Sequence, residues 1–143
     1  GWKEIHNSKE HFDVLNTVRN DGSGVLTKDG NKFYYTICDE NTGGECAIYV
    51  AKYDGHRWHL PEKLNENINP PDVWNAQPTL TATGDTMFFV SKRDSGYGNH
   101  DLWYSIKEKG SEATLKLAES PNAKVVIIGN SADGMPIILG DSK

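Results

Sequence analysis

The sequence lacks any concentration of positive charge. Its 15 Lys and Arg are scattered among 20 Asp and Glu, for a net charge of −5, so the basic footprint of a nucleic-acid-binding protein is absent. It also lacks an apolar run near the roughly 20 residues that a membrane-spanning helix needs. No stretch carries a sustained helical face; residues 4–14 and 61–65 offer a turn or two at most. Hydrophobic residues are only 36% of the total, which makes the chain polar for a packed globule. Aromatics at 10% and charges of mixed sign nevertheless keep it out of the disordered class. The N-terminal Gly1-Trp2-Lys3-Glu4 is not a signal peptide, and this leaves location open because a mature or excised chain has lost its leader.

Cysteine is scarce as well. Cys38 and Cys46 enclose the stretch "DENTGGE", a pattern with too few ligands for a zinc site. Both flank a turn-rich loop. They are therefore either a disulfide across a hairpin or two thiols, one or both buried. A disulfide implies an oxidising compartment.

What the chain has in quantity is turn formers and aromatics: Gly, Asn, Asp and Thr between short runs rich in Tyr, Trp and Phe. That composition suits short strands joined by many turns. Shifted by 54 residues, the chain matches itself. Leu26-Thr27 falls on Leu80-Thr81, Gly30 on Gly84, Phe33-Tyr34-Tyr35 on Met87-Phe88-Phe89, and Ile48-Tyr49-Val50 on Leu102-Trp103-Tyr104. Asn16 and Asn69 each follow a tryptophan, Trp2 and Trp58. A weaker third start is visible at Ser131-Ala132-Asp133-Gly134, with Pro136-Ile137-Ile138-Leu139 behind it.

A period near 50 residues with several strands per period predicts an all-β fold of β-propeller blades, each of about four antiparallel strands. In unit one the strands are expected near 24–27, 32–38 and 46–53, with an outer segment at 57–60. In unit two they are expected near 79–81, 86–92 and 101–106, with an outer segment at 114–118. The resulting organisation is an incoming link and outer strand at 1–23, unit one at 24–75, unit two at 76–122 and the start of a third unit at 123–143. That makes roughly two and a half blades, fewer than the four to eight of a closed propeller. The chain is thus expected to be a segment of a longer protein or to complete its ring by association.

The stretches "QPTLTATGDTMFFVS", "KRDSGYGNHDLW" and "WHLPEKLNENIN" resemble the WD-repeat-like, TolB-type β-propeller repeats of bacterial envelope proteins. Unit one departs from that pattern: Ser23-Gly24 stands for the entry proline, and the cysteine-flanked loop replaces the Arg-Gly-Gly loop. The resemblance implies a periplasmic or outer-membrane-associated setting of the Bacteroidetes-like kind. It also implies protein partners or further blades of the same protein, and peptidoglycan contact through an OmpA-like domain outside these residues.

Catalytic chemistry is hard to find. "GNSAD" at 129–133 lacks the last glycine of a nucleophile elbow, which speaks against Ser131. His56 and His59 lie three apart in a strand or turn and do not share a face, while His6, His11 and His100 are scattered. The loop "RDSGYGNHD" does not match a calcium loop, since Gly96 and Gly98 occupy ligand positions; there Asp101 is expected to cap backbone amides. Glu40, Glu45, Asp94 and Asp101 crowd one rim and leave a carbohydrate site conceivable. The reading is a non-enzymatic interaction scaffold with no catalytic residues, cofactor or metal. Its alternatives are a glycan-binding or glycan-processing propeller and the gating propeller of a serine peptidase. Trp74, Arg93, Asp94, Tyr97 and His100 are the candidate contacts for a ligand or partner.

Overall fold

The computed structural model describes residues 1–7, 12, 14–107 and 124–128, the last for backbone alone. The described residues are all-β apart from one 3-10 turn, Glu40–Thr42. The first sheet runs β1 (Asn20–Leu26), β2 (Lys32–Asp39), β3 (Glu45–Lys52) and β4 (Glu62–Lys63) in sequence order, each antiparallel to its neighbour. The second runs β5 (Asn75–Leu80), β6 (Thr86–Ser91), β7 (Asp101–Lys107) and β8 (Lys124–Ile128). Neither sheet closes on itself among the described residues. No helix of the described residues is long and apolar enough to cross a membrane.

The 54-residue match in sequence is also a match in hydrogen bonding. After β1, Thr27 N–H donates to Lys32 O at 2.9 Å and Gly30 N–H to Thr27 O at 2.9 Å. After β5, Thr81 N–H donates to Thr86 O at 3.0 Å and Gly84 N–H to Thr81 O at 2.9 Å. In both turns the threonine hydroxyl reaches an aspartate, Asp29 at 2.5 Å and Asp85 at 2.9 Å. Gly30 and Gly84 share φ +72°, a left-handed conformation that glycine adopts without the Cβ penalty.

The correspondence extends to an irregularity. β1 bulges between Gly22 and Gly24, with Ser23 at φ +41°. β5 bulges between Ala76 and Thr79, with Gln77 at φ +58°. Ser23 and Gln77 are repeat mates. Each bulge lets its strand begin earlier than expected, at Asn20 and Asn75 in place of 24 and 79. Gly22-Ser23-Gly24 and Gln77-Pro78 read as chain breaks, but a bulge absorbs both glycine and proline within a strand. Gly24 has a second reason to be glycine: a Cβ there would stand 2.8 Å from Tyr35 Cβ and closer still to the Phe33 ring.

The two sheets pack face to face. One side of sheet one (Tyr34, Ile48, Val50) meets Met87, Phe89 and Trp103 of sheet two, with Ile68 of the connecting link between them. Phe89 and Ile48 are fully buried. At the bulges the contact is polar: Gln77 N–H donates to Thr36 Oγ1 at 2.9 Å, and that hydroxyl donates to Ser23 O at 3.5 Å. The opposite side of sheet one carries Tyr35, Ile37 and Ala51, covered by Leu15, with Phe33 and Trp58 packed beside them.

Three expectations need correction. The outer strand of unit one is β4 at Glu62–Lys63; residues 57–60 contribute only an isolated bridge between Tyr53 and Trp58. The edge next to β4 is completed by a side chain. Buried Asn69 accepts from Ile48 N–H at 2.9 Å, returns a donor to Ile48 O at 2.9 Å and donates to Leu64 O at 3.0 Å. Second, unit two is not a four-stranded antiparallel meander, because β8 runs parallel to β7, from Trp103↔Lys124 to Lys107↔Ile128. Third, β8 lies in the stretch read as the third unit, yet it pairs with sheet two. The turn at 4–14 lies partly outside the described residues. The outer segment at 114–118 and the third-unit motifs at 131–134 and 136–139 lie wholly outside them.

Replacing Asn69 by leucine keeps the volume and leaves the Ile48 amide and carbonyl unpaired in the core. The expected loss is roughly 2–4 kcal/mol, read as a shift of the urea midpoint with the slope unchanged.

Candidate functional site

The candidate contacts gather at one end of the two sheets, where β2–β3 and β6–β7 are connected. The two connections are repeat mates with different chemistry. In unit one Cys38 and Cys46 face each other in register at the loop base, with Cα atoms 4.0 Å apart, and are joined by a disulfide. Between them Asp39 accepts from Asn41 N–H at 3.0 Å and Gly43 closes the 3-10 turn at φ +79°.

In unit two the same positions are Lys92 and His100, and no covalent bond is available. Trp74, from the link entering β5, takes its place. Its ring stands edge-on to the His100 ring at 5.0 Å between centroids and 88° between planes, and Lys92 Nζ lies over it at 5.8 Å. The backbone joins in, with Lys92 N–H donating to Trp74 O at 3.0 Å. One loop is thus closed by sulfur and the other by an indole ring. Trp74 and His100, expected as ligand contacts, are brought together as halves of this clasp.

Arg93 turns inward. Its guanidinium lies 5.0 Å from the Phe89 ring centroid and 5.3 Å from that of Trp103. Its Nε donates to Ser91 Oγ at 2.9 Å, Nη1 to Asn67 O at 3.2 Å, and Nη2 to Ile68 O at 2.8 Å and Asn75 Oδ1 at 3.1 Å. Burial lowers its pKa to about 10. A planar fork that reaches two strands and the link while stacking on aromatic faces suits arginine and not lysine. Its place here is to fasten the link to sheet two.

Asp94, Ser95 and Tyr97 remain at the loop tip, Tyr97 with 74% of its surface exposed. Asp94 and Ser95, with Lys92, Arg93, Asn99 and His100, line an open polar hollow of about 480 Å³. Within the same loop Asp101 Oδ2 accepts from Gly98 N–H at 3.1 Å, the amide cap expected of it. Ser95 holds φ +70°, so the tip is tightly turned.

The histidines of the first unit are elsewhere. His59 Nε2 lies 2.7 Å from Asp54 Oδ2, and His56 Nδ1 lies 3.9 Å from the same carboxylate. Asp54 also accepts from the Arg57 and His56 backbone amides at 3.0 and 2.8 Å. Those two backbone hydrogen bonds, Arg57 first, and then His59 lower its pKa to about 2. This is a turn brace. Trp58 packs on sheet one against Tyr53, Phe33 and Phe12. Trp103 is a buried core residue, in keeping with its alignment to Tyr49. Among the described residues no three His, Cys, Asp or Glu side chains converge as metal ligands would. His11 and Ser131 lie outside the described residues. Reasoning from sequence missed Asn69 and the Trp74 clasp; the 54-residue offset between Cys38/Cys46 and Lys92/His100 was the available signal for the second. Comparison with protein-family models, curated proteins and solved structures finds no match.

Two outcomes follow from this geometry. Replacing Trp74 by alanine is expected to cost roughly 1–3 kcal/mol. It should also speed hydrogen exchange of the 92–100 amides while leaving 39–45 protected; reduction of the disulfide reverses the pattern. On acidification the folded-state pKa of Asp54 lies below its ordinary value of 3.8. Its stabilising contribution is therefore complete above about pH 4 and lost as pH falls through about 2, with the His56 and Arg57 amide shifts titrating at that lower midpoint.

Proposed function

We propose that this chain is a pair of consecutive β-propeller blades, of the WD-repeat-like, TolB-type kind, serving as a non-enzymatic protein-interaction scaffold in an extracytoplasmic compartment. The observation that carries the reading is the double clasp. Two loops at the same end of stacked sheets are tied at their bases by unrelated chemistry, while their tips carry polar side chains and, in the second, the exposed Tyr97. Loops held on a rigid frame lose little entropy on binding, which favours recognition. The repeated bulge and the face-to-face sheets support the propeller assignment. The disulfide supports an oxidising setting, since such bonds persist outside the cytosol. The candidate contacts of this surface are Asp94, Tyr97 and His100, with Trp74 and Arg93 setting their positions.

The test is a binding comparison between the wild-type chain and the double variant Asp94→Ala/Tyr97→Ala, which leaves the clasp intact. A saturable protein partner from the envelope fraction should be retained by the wild type and weakened at least about tenfold by the variant. Equal binding by both removes the loop tips from the site. Loss of affinity for glycan or peptidoglycan fragments, with no protein partner, replaces the scaffold by a glycan-binding reading.

A further inference from the structure

The two sheets leave a gap at one end of their contact. It lies at the end of the Thr-x-x-Gly turns, opposite the 39–45 and 92–100 loops, and forms a cleft of about 190 Å³. Its walls are the Tyr34 ring, Leu64 and Ile68 on the side of unit one, and Leu80 and Met87 on the side of unit two. Ser105 and Lys107, two residues apart on one face of β7, line it as well.

The fold itself does not call for these two polar groups. Ser105 is 3% exposed, and its hydroxyl has no hydrogen-bond partner among the described residues. A buried hydroxyl without a partner costs stability. Its repeat mate is Ala51, fully buried, so the position packs without a hydroxyl. Lys107 stands where unit one has Tyr53, whose ring rests on Trp58. The Lys107 ammonium instead reaches across the cleft and lies over the Tyr34 ring, 5.5 Å from its centroid. Asp85, the carboxylate at this cleft, is engaged within its own turn, where it accepts from the Thr81 and Thr86 hydroxyls at 2.9 and 3.0 Å.

We infer that this cleft binds a small aromatic carboxylate that carries a hydroxyl at the far end of its ring. The size fits, since cavities of about 150 Å³ take up a benzene ring. A slot between stacked sheets admits a flat body, and Leu64, Ile68, Leu80 and Met87 give that body apolar contact. Ser105 and Lys107 stand roughly 6–7 Å apart along the strand, which is about the span of one ring substituted at both ends. The Ser105 hydroxyl takes the ligand hydroxyl inside the cleft, and the Lys107 ammonium takes the carboxylate at its mouth. This site lies at the opposite end of the sheets from the loop rim and does not rest on the scaffold reading.

The test follows the backbone amides of the full chain by NMR during titration with 4-hydroxybenzoate. The titration runs to about 20 mM, above the millimolar dissociation constant of a modest ligand of about ten heavy atoms. Saturable shifts are expected at 84–87 and 105–107. The wild type should bind 4-hydroxybenzoate at least about threefold more tightly than benzoate, which lacks the hydroxyl, or p-cresol, which lacks the carboxylate. Ser105→Ala should remove the advantage over benzoate, and Lys107→Met the advantage over p-cresol. Ser105→Ala restores the residue that unit one has at this place and is expected to keep or raise the melting temperature, so its loss of binding is not a loss of structure. Absence of saturable shifts, shifts confined to 92–100, equal binding of the three probes, or binding that either substitution leaves unaltered overturns the proposal. The Asp94→Ala/Tyr97→Ala variant should bind 4-hydroxybenzoate as the wild type does, which separates failure here from failure of the loop-tip comparison.

Discussion

One hydrogen bond sets how the two sheets meet. Gln77 N–H reaches the Thr36 hydroxyl at 2.9 Å, and it can do so only because Gln77 stands at φ +58°, its amide turned out of the β5 ladder. The hydroxyl passes the interaction on to Ser23 O, in the equivalent bulge of β1. Two distortions that cost backbone energy are thereby joined through one side chain, and each helps to justify the other. The apolar contact of Tyr34, Ile48, Met87 and Phe89 forms beside that junction. Dispersion and burial supply most of the attraction, but they are indifferent to small slides. The polar junction sets the alignment.

Much of this architecture was legible from local pattern. Alternation and aromatic content located β2, β3, β6 and β7 within a residue or two, since those strands have both faces under pressure to be apolar. The Thr-x-x-Gly turns were legible for the same reason that they form: a hydroxyl and a left-handed glycine at a fixed offset, with a carboxylate close by on one side of the glycine or the other. The bulges were not. Gly-Ser-Gly and Gln-Pro carry a break signal in isolation, and only the neighbouring sheet gives the distorted conformation a partner. Nor was β4. Its outer pairing is replaced by the Asn69 side chain, and an asparagine in a polar link looks like any other turn residue until the distant Ile48 backbone comes beside it. The parallel pairing of β8 with β7 was not legible either, because alternation of apolar residues locates a strand without giving its direction.

The candidate site shows the same division. Arg93 and Trp74 were selected because a cation and an indole in a polar connection attract attention as contacts. Both serve the frame. Arg93 is held between Phe89 and Trp103 and bonded to the link, and Trp74 closes the loop that carries Asp94 and Tyr97. These two side chains hold the loop in place and leave Asp94, Ser95 and Tyr97 at its tip.

The unlike closures of the two loops also bear on how the molecule yields to force. Tension that peels β2 from β3 starting at the 39–45 end meets the Cys38–Cys46 bond one rung in, and the zipper stops there. From the Lys32–Lys52 end the same strands separate rung by rung. Sheet two has no covalent stop at either end; its loop is held by the Trp74 contacts and by hydrogen bonds. Under load in an oxidising medium, the 39–45 loop therefore stays closed and cannot lengthen, whereas the 92–100 loop can.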